Sequence, residues 1–162
     1  MSKLRNMRAI EIPKFRAVSS GLMAFEELFG EDGFSNWIDV QNAHLILKQI
    51  TDEPGFMWPE DGKGVLIRPI KDEVTEEDTA PYEIIEFPGG MFLVATCDET
   101  DRADLEEAVG CMREWIKNSD VFEYGDFPQS GMCNMPNADG AIDKALGIAQ
   151  QQIFLPLKFR AK

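Results

Sequence analysis

The sequence has 162 residues, of which 44% are hydrophobic and 10% aromatic, as expected for a single folded domain. Its formal net charge of −13 disfavours binding to nucleic acid, because affinity for phosphate depends on clustered Lys and Arg. No apolar run is long enough to cross a bilayer, and the basic first residues lead into a strand pattern rather than a signal peptide, so we expect no membrane contact and a cytoplasmic location.

The few cysteines and the single histidine limit the chemistry that the chain can perform. Cys97, Cys111 and Cys133 lie far apart without C-x-x-C spacing, which predicts neither a zinc site nor a disulfide framework. His44 is the only histidine, and its predicted helix contains no nearby nucleophile, so no Ser-His-Asp or Cys-His arrangement is expected. We therefore predict no metal, no cofactor and no catalytic triad.

A pattern of an acid, an apolar residue and a proline leading into a β-prone segment occurs twice. It is found in Glu11-Ile-Pro-Lys-Phe-Arg-Ala-Val18 and again from Glu86 to Cys97. The two halves also end on similar strands, at residues 66–71 and 153–158. This repetition predicts a tandem duplication, with module one at about 8–71, an acidic linker at 72–80 and module two at about 81–160.

The predicted elements of module one follow its apolar periodicity. Residues 9–20 form a strand pattern, 22–29 a short helix, and 36–50 a longer helix with one apolar stripe. Residues 56–58 and 65–70 flank a glycine-containing loop and predict a hairpin. Module one is therefore expected to run strand, helix, strand, strand.

Module two repeats this order. Its predicted elements are a hairpin of strands 82–87 and 91–97, a helix at 101–118, a strand at 121–124, a loop at 125–150 with a short helix near 141–146, and a last strand at 151–159. The long helix carries Trp115 on its apolar stripe, which assigns this ring to the core. The fold class is α+β: a duplicated strand-helix-strand-strand module, with an antiparallel sheet and helices on one face.

The last strand has two different faces. Ile153, Leu155 and Leu157 alternate with a second set that contains Gln152 and Phe154. If the aliphatic set packs beneath the helices, the second set looks away from them. An open sheet face that carries aromatic rings is a candidate ligand groove, and a groove between two modules is a common place for one. Core packing is the alternative for these aromatics.

Four segments in a fixed order carry a family resemblance. They are Ile12-Pro with Val18, Phe87-Pro-Gly-Gly-Met-Phe92, Glu114-Trp-Ile-Lys-Asn-Ser119 and Gln152-Ile-Phe-Leu-Pro-Leu157. Over nearly the whole chain, they resemble the GyrI-like effector-binding domain family, whose members are C-terminal sensors of AraC-type and MerR-type regulators or free-standing proteins. The resemblance implies a pseudo-twofold pair of modules that binds lipophilic, often cationic molecules in a groove lined by aromatics and a buried acid.

Carried over by position, the resemblance assigns Phe87, Phe92 and Phe154 to the groove. Gln152 stands where relatives frequently have glutamate, which favours a neutral ligand unless Glu123 supplies the acid from the neighbouring strand. Two aromatics of the first hairpin join them as candidates. The predicted ligand-binding residues are Phe56, Trp58, Phe87, Phe92, Glu123, Gln152 and Phe154.

Three functions are consistent with these residues. The first is a non-enzymatic effector-binding domain spanning 1–162 that senses or sequesters a lipophilic, drug-like compound, without a DNA-binding segment since a strand pattern begins by Ala9. The second is inhibition of a basic protein partner such as DNA gyrase, suggested by the net charge of −13. The third is hydrolysis of reactive ring compounds, for which Glu123 with Tyr82 or Tyr124 is the candidate pair.

Overall fold

The computed structural model describes residues 5–48, 55–135, 145 and 149–162. Within these residues it has nine strands, all paired antiparallel, and a small number of helical segments. The chain divides into two compact units, and it passes from one to the other after Ile12 and after Gly89. The α+β fold class predicted from the sequence is confirmed.

The first unit contains four strands in the order β3-β4-β2-β5. Its elements in chain order are β2 (Phe15–Ser19), α1 (Phe25–Phe29), a π-helix (Asn36–Gln41), β3 (Phe56–Glu60), β4 (Lys63–Pro69), α2 (Glu76–Thr79) and β5 (Glu83–Phe87). The predicted hairpin is confirmed as β3 and β4, which pair from Phe56 opposite Ile67 to Glu60 opposite Lys63. The predicted linker contains α2, so it is not structureless.

The core of the first unit lies on one face of this sheet. Val18 and Leu66 point to that face and pack in one cluster with Leu28, Phe34 and Ile38 from the helical segments. All five side chains are almost completely buried. Since alternate residues of a strand point to opposite faces, the neighbours of Val18 and Leu66 lie on the other face.

The second unit contains β1 (Arg8–Ile12), β6 (Gly90–Asp98), α3 (Arg102–Asn118), β7 (Phe122–Tyr124), β8 (Met132–Asn134) and β9 (Gln150–Phe159). Its strand order is β1-β6-β9-β8, and β7 also pairs with β9. Helix α3 begins where the Asp101 carboxylate accepts hydrogen bonds from the N–H groups of Ala103 and Asp104. The predicted short helix near 141–146 lies outside the described residues, apart from Ala145.

Helix α3 covers one face of the strands of the second unit. Ala108, Met112 and Ile116 recur at helical spacing and pack against Leu93 and Leu155. Ile153 and Leu157 belong to the same cluster, so the aliphatic set of the last strand packs beneath the helix as predicted. Trp115 is 37% exposed, which makes its assignment to the core wrong: it lies at the edge of the stripe and stacks on Phe122.

In each unit, an arginine with little exposure to solvent ties a helical segment to the sheet. Arg68 of β4 donates from Nε and Nη2 to the Asp39 carboxylate of the π-helix, at 2.8 and 3.0 Å. Arg5 lies 2.7 Å from Oδ1 of Asp104 on α3. The other oxygen of Asp104 accepts a hydrogen bond from the backbone N–H of Asp98 at the end of β6.

Corresponding strands of the two repeats are arranged in the same order in the two units. The first strand of each repeat, however, belongs to the unit formed by the rest of the other repeat. β5 precedes β6 in the sequence, yet it pairs with β2 in the first unit, while β1 pairs with β6 in the second. The strands predicted at 82–87 and 91–97 therefore exist but do not form a hairpin. The strand predicted at 9–20 is likewise two strands, and Pro13 lies at its break as Pro88 lies between β5 and β6, since proline cannot donate to a ladder.

The helix predicted over 36–50 is wrong over residues 42–48, and its last two residues lie outside the described residues. The π-helix ends at Gln41, where both the backbone N–H and the side-chain amide of Asn42 donate to the carbonyl of Trp37. An asparagine side chain that bonds to the backbone competes with helix propagation. Val40, which the prediction placed on the apolar stripe of this helix, is 71% exposed. No helix in the described parts of the chain is both long and apolar enough to span a membrane.

Candidate functional site

An aromatic cluster covers the sheet face of the first unit that is turned away from its core. Phe15 on β2 lies opposite Phe87 on β5, and the two rings stack with centroids 4.9 Å apart. Phe56 of β3 lies 6.2 Å from Phe15 and 6.1 Å from Phe87, and Trp58 lies 6.5 Å from Phe87. The structure therefore brings together the predicted residues Phe56, Trp58 and Phe87, and it adds Phe15.

A second aromatic pair lies on the corresponding face of the second unit. Phe92 of β6 and Phe154 of β9 meet edge to face, with ring centroids 6.5 Å apart and planes at 78°. Register places Val94 and Met132 on either side of Phe154, on the face opposite α3. The rings are only 1% and 3% exposed. The prediction that Phe154 looks away from the helix agrees with this register.

A row of polar side chains runs beside this aromatic pair. Thr96, Gln152 and Asn134 occupy matching positions on β6, β9 and β8, so they share the face of Phe92 and Phe154. All three are partly buried. Oδ1 of Asn134 is shielded from solvent and has no hydrogen-bond partner in the part of the chain that the structure describes. Polar groups shielded in this way are rarely left without a partner, which makes this atom a candidate ligand contact.

Glu123 lies on β7, at a position opposite Lys158 of β9. One carboxylate oxygen is 3.8 Å from the Lys158 ammonium, the other is 3.8 Å from the Arg160 guanidinium, and the side chain is 41% exposed. Two cations therefore balance its charge. The structure places Glu123 next to these bases and not beside the rings of Phe92 and Phe154.

Of the two pairs suggested for hydrolysis, Glu123 with Tyr124 does not converge. Glu123 and Tyr124 are consecutive residues of one strand, so their side chains point to opposite faces. The Tyr124 hydroxyl donates to the carbonyl of Gln129, and burial raises its pKa, which keeps it protonated at neutral pH. Tyr82 belongs to the first unit, where it packs against Phe34 and Trp37.

Buried negative charge is found elsewhere in the chain. Within the described residues, Asp104 is the buried carboxylate, and Arg5 holds it on α3. The same residues contain no group of three or more His, Cys, Asp or Glu side chains that could hold a metal ion. His44, the one histidine, is exposed in a turn.

Two open clefts lie on the helical sides of the units. One of about 610 Å³ follows α3 and is lined by residues that include Cys111, Glu114 and Trp115. The other, of about 580 Å³, lies beside α1 and is lined by residues that include Met23, Glu26 and Tyr82. None of the predicted ligand-binding residues lines either cleft.

Three residues of the candidate faces were missed from the sequence. Phe15 was assigned to a strand without a role. It stands two residues after Pro13, as Gly90 stands two residues after Pro88 in the repeat. Thr96 belongs to the same strand face as Phe92, so strand alternation alone could have found it. Asn134 lies in the region predicted as a loop, where no periodicity signalled β8.

Solved structures with the same fold are known. The C-terminal domain of EcmrR matches over 96% of this chain and 99% of its own, with a TM-score of 0.66 and 15% identity. SAV2435, solved with tetraphenylphosphonium bound, matches over 94% of both chains with a TM-score of 0.57 and 12% identity. A hydrolase from Listeria innocua matches over 97% of this chain and 94% of its own, with a TM-score of 0.58 and 14% identity.

The chain thus has the fold of GyrI-like effector-binding domains, as its four sequence segments indicated. At identities of 12 to 15% the likeness concerns the fold. No protein-family model matches the sequence, and no curated protein sequence matches it.

Proposed function

We propose that this protein binds a lipophilic small molecule on the sheet faces that carry its aromatic side chains. The observation that supports the proposal is their arrangement: in both units, the rings gather on the face opposite the helices. These rings are Phe15, Phe56, Trp58 and Phe87 in the first unit and Phe92 and Phe154 in the second. The protein solved with tetraphenylphosphonium shares the fold, which adds support.

Aromatic faces of this kind suit flat, apolar ligands. Aromatic rings prefer stacked or edge-to-face partners, so a bound aromatic compound would find both geometries here. The stacked Phe15 and Phe87 rings and the edge-to-face Phe92 and Phe154 rings supply one of each. We infer that the ligand contains at least one aromatic ring.

The charges near Phe92 and Phe154 favour a neutral ligand over a cation. Glu123 is balanced by two bases, and the Asp98 carboxylate accepts hydrogen bonds from Thr100. Arg8 is the basic residue whose Cα lies opposite Val94, one strand away from Phe154. A permanent cation would have to lose its water without gaining a buried carboxylate, which is costly.

Calorimetry with two probes tests the proposal. A neutral biaryl and tetraphenylphosphonium are titrated into the full chain, and saturable binding of the neutral probe is expected. Phe154→Ala should weaken it by at least tenfold, whereas Phe159→Ala removes a ring that is largely exposed and should change it little. Both variants are checked for folding by thermal melting. If neither probe shows saturable binding, the proposal is refuted.

The two other hypotheses have less support. Inhibition of a basic partner such as DNA gyrase rests on the net charge of −13, and no described surface favours it. Hydrolysis is named for one protein of the same fold. Here, the opposed directions of the Glu123 and Tyr124 side chains disfavour hydrolysis.

We propose a sensing or sequestering role in the cytoplasm for this chain.

A further inference from the structure

Asn134 presents an unsatisfied acceptor on the aromatic face of the second unit. Its Oδ1 is shielded from solvent, and no described residue donates to it. The residue is held in place by β8, whose three residues pair with β9 from Met132 opposite Phe154 to Asn134 opposite Gln152. The acceptor therefore belongs to a strand and not to an irregular loop, and its position is fixed relative to β9.

The surroundings of this acceptor combine apolar and polar character. Asn134 lies two residues from Met132 along β8, which is about 7 Å along the strand. Phe154, opposite Met132, is therefore close enough for one ligand to touch its ring and the Asn134 amide. Gln152 and Thr96 continue the polar row, and the Gln152 amide makes no side-chain hydrogen bond to the described residues.

We propose that the ligand is a neutral aromatic compound with an O–H or N–H donor, such as a phenol, an aniline or a secondary amide, and that Asn134 Oδ1 accepts this donor. The inference rests on the proposed function, because it concerns the same face. A carbonyl oxygen forms its hydrogen bond with a donor, so an aromatic cation without a donor makes no hydrogen bond to it. Binding sites with buried polar groups reject analogues that leave those groups unpaired.

The test uses two ligands that differ by one donor. 4-Phenylphenol and 4-methoxybiphenyl have the same biaryl body, and only the first can donate a hydrogen bond. Each is titrated into the full chain by calorimetry, with tetraphenylphosphonium as a cationic probe that has no donor. We expect the phenol to bind at least tenfold more tightly than its methyl ether, the size expected for one additional hydrogen bond.

Two substitutions assign this preference to Asn134. Asn134→Leu keeps a similar shape but cannot accept, so the affinity ratio of the two biaryls should fall to near one. Asn134→Asp keeps an acceptor at the same place and should retain the preference for the phenol. Asn118→Leu on the exposed surface of α3 makes the same exchange away from the site and should change nothing.

The outcomes distinguish the preference for a hydrogen-bond donor from ligand binding itself. If both biaryls bind equally well to the wild-type chain, the donor preference is overturned while ligand binding stands; a bound water that ligands never displace would give this result. Preference for tetraphenylphosphonium over the phenol also overturns it. If none of the three probes binds, the proposed function fails, and this inference falls with it.

Discussion

Arg68 and Asp39 form a two-pronged ion pair, with Nε and Nη2 of the guanidinium 2.8 and 3.0 Å from the two carboxylate oxygens. Arg68 is almost fully buried, while the Asp39 side chain is 27% exposed. The pair fixes the π-helix to β4 in the first unit. The loss of one partner should therefore lower the free energy of unfolding by a measurable amount.

Removal of the carboxylate should destabilise the chain strongly. Asp39→Ala leaves the Arg68 charge buried without its acid, so we expect a loss of about 3 kcal/mol in the free energy of unfolding. Denaturant melts measure this loss. The double variant Asp39→Ala with Arg68→Met should recover part of it, since the buried charge is then also removed.

An exposed ion pair supplies the control for this experiment. Lys14 and Glu86 approach to 3.2 Å, but both side chains are more than half exposed. Glu86→Ala should cost about 0.5 kcal/mol or less, because exposed pairs contribute little. Equal losses for Asp39→Ala and Glu86→Ala would contradict the role given to burial.

A carboxylate at position 152 should convert the site toward cations. Gln152→Glu places an acid beside Asn134 and two residues from Phe154, so the affinity for tetraphenylphosphonium should rise about tenfold, or about 1.4 kcal/mol. Gln151→Glu adds the same charge on the opposite face of β9 and should leave the affinity unchanged. Calorimetry at neutral pH compares the two variants. A gain that is equal in both would indicate a non-specific effect of charge.

The Cys97 thiol predicts a pH dependence of stability. Burial, aided by the nearby Asp104 carboxylate, raises the pKa of Cys97 to about 11 from an ordinary value of 9.0. The folded state therefore favours the neutral thiol, and the stability that this group contributes is complete below pH 9 and is lost as the pH rises towards 11. Between these pH values, Cys97→Ala should flatten the decline in unfolding free energy by about 2 kcal/mol.

Cys111 provides the comparison for this thiol, because it is exposed on α3. Cys111→Ala should leave the alkaline decline unchanged. Alkylation at pH 8 should modify Cys111 and spare Cys97, since a buried thiol with a raised pKa is almost entirely protonated there. Rapid alkylation of Cys97 in the folded chain would contradict the assignment.

Sequence patterns predicted most of the strands and α3, because their signals are local. The alternation of Ile153, Leu155 and Leu157 indicated which face of β9 meets the helix, and the contacts of α3 agree. One of the two wrong predictions has a local cause, and the other depends on pairing between distant strands. The helix expected over 36–50 was ended by hydrogen bonds from Asn42, and the partner of β5 was not the strand that follows it.

The candidate site was predicted less completely than the fold. The aromatic residues could be assigned by strand alternation and by resemblance, and the structure groups most of them. Asn134 could not be found in this way, since its position depends on pairing between β8 and β9 across a region without periodicity. An unsatisfied acceptor is a property of packing, and it leaves no mark on the sequence.

Because β1 and β5 are exchanged, the segment that repeats in the sequence is not the same set of strands as a compact unit of the fold. Each repeat gives its first strand to the other sheet, and the chain makes both transfers beside a proline, at Pro13 and Pro88. Neither repeat could therefore complete a four-stranded unit alone, because each needs an edge strand that the other repeat supplies.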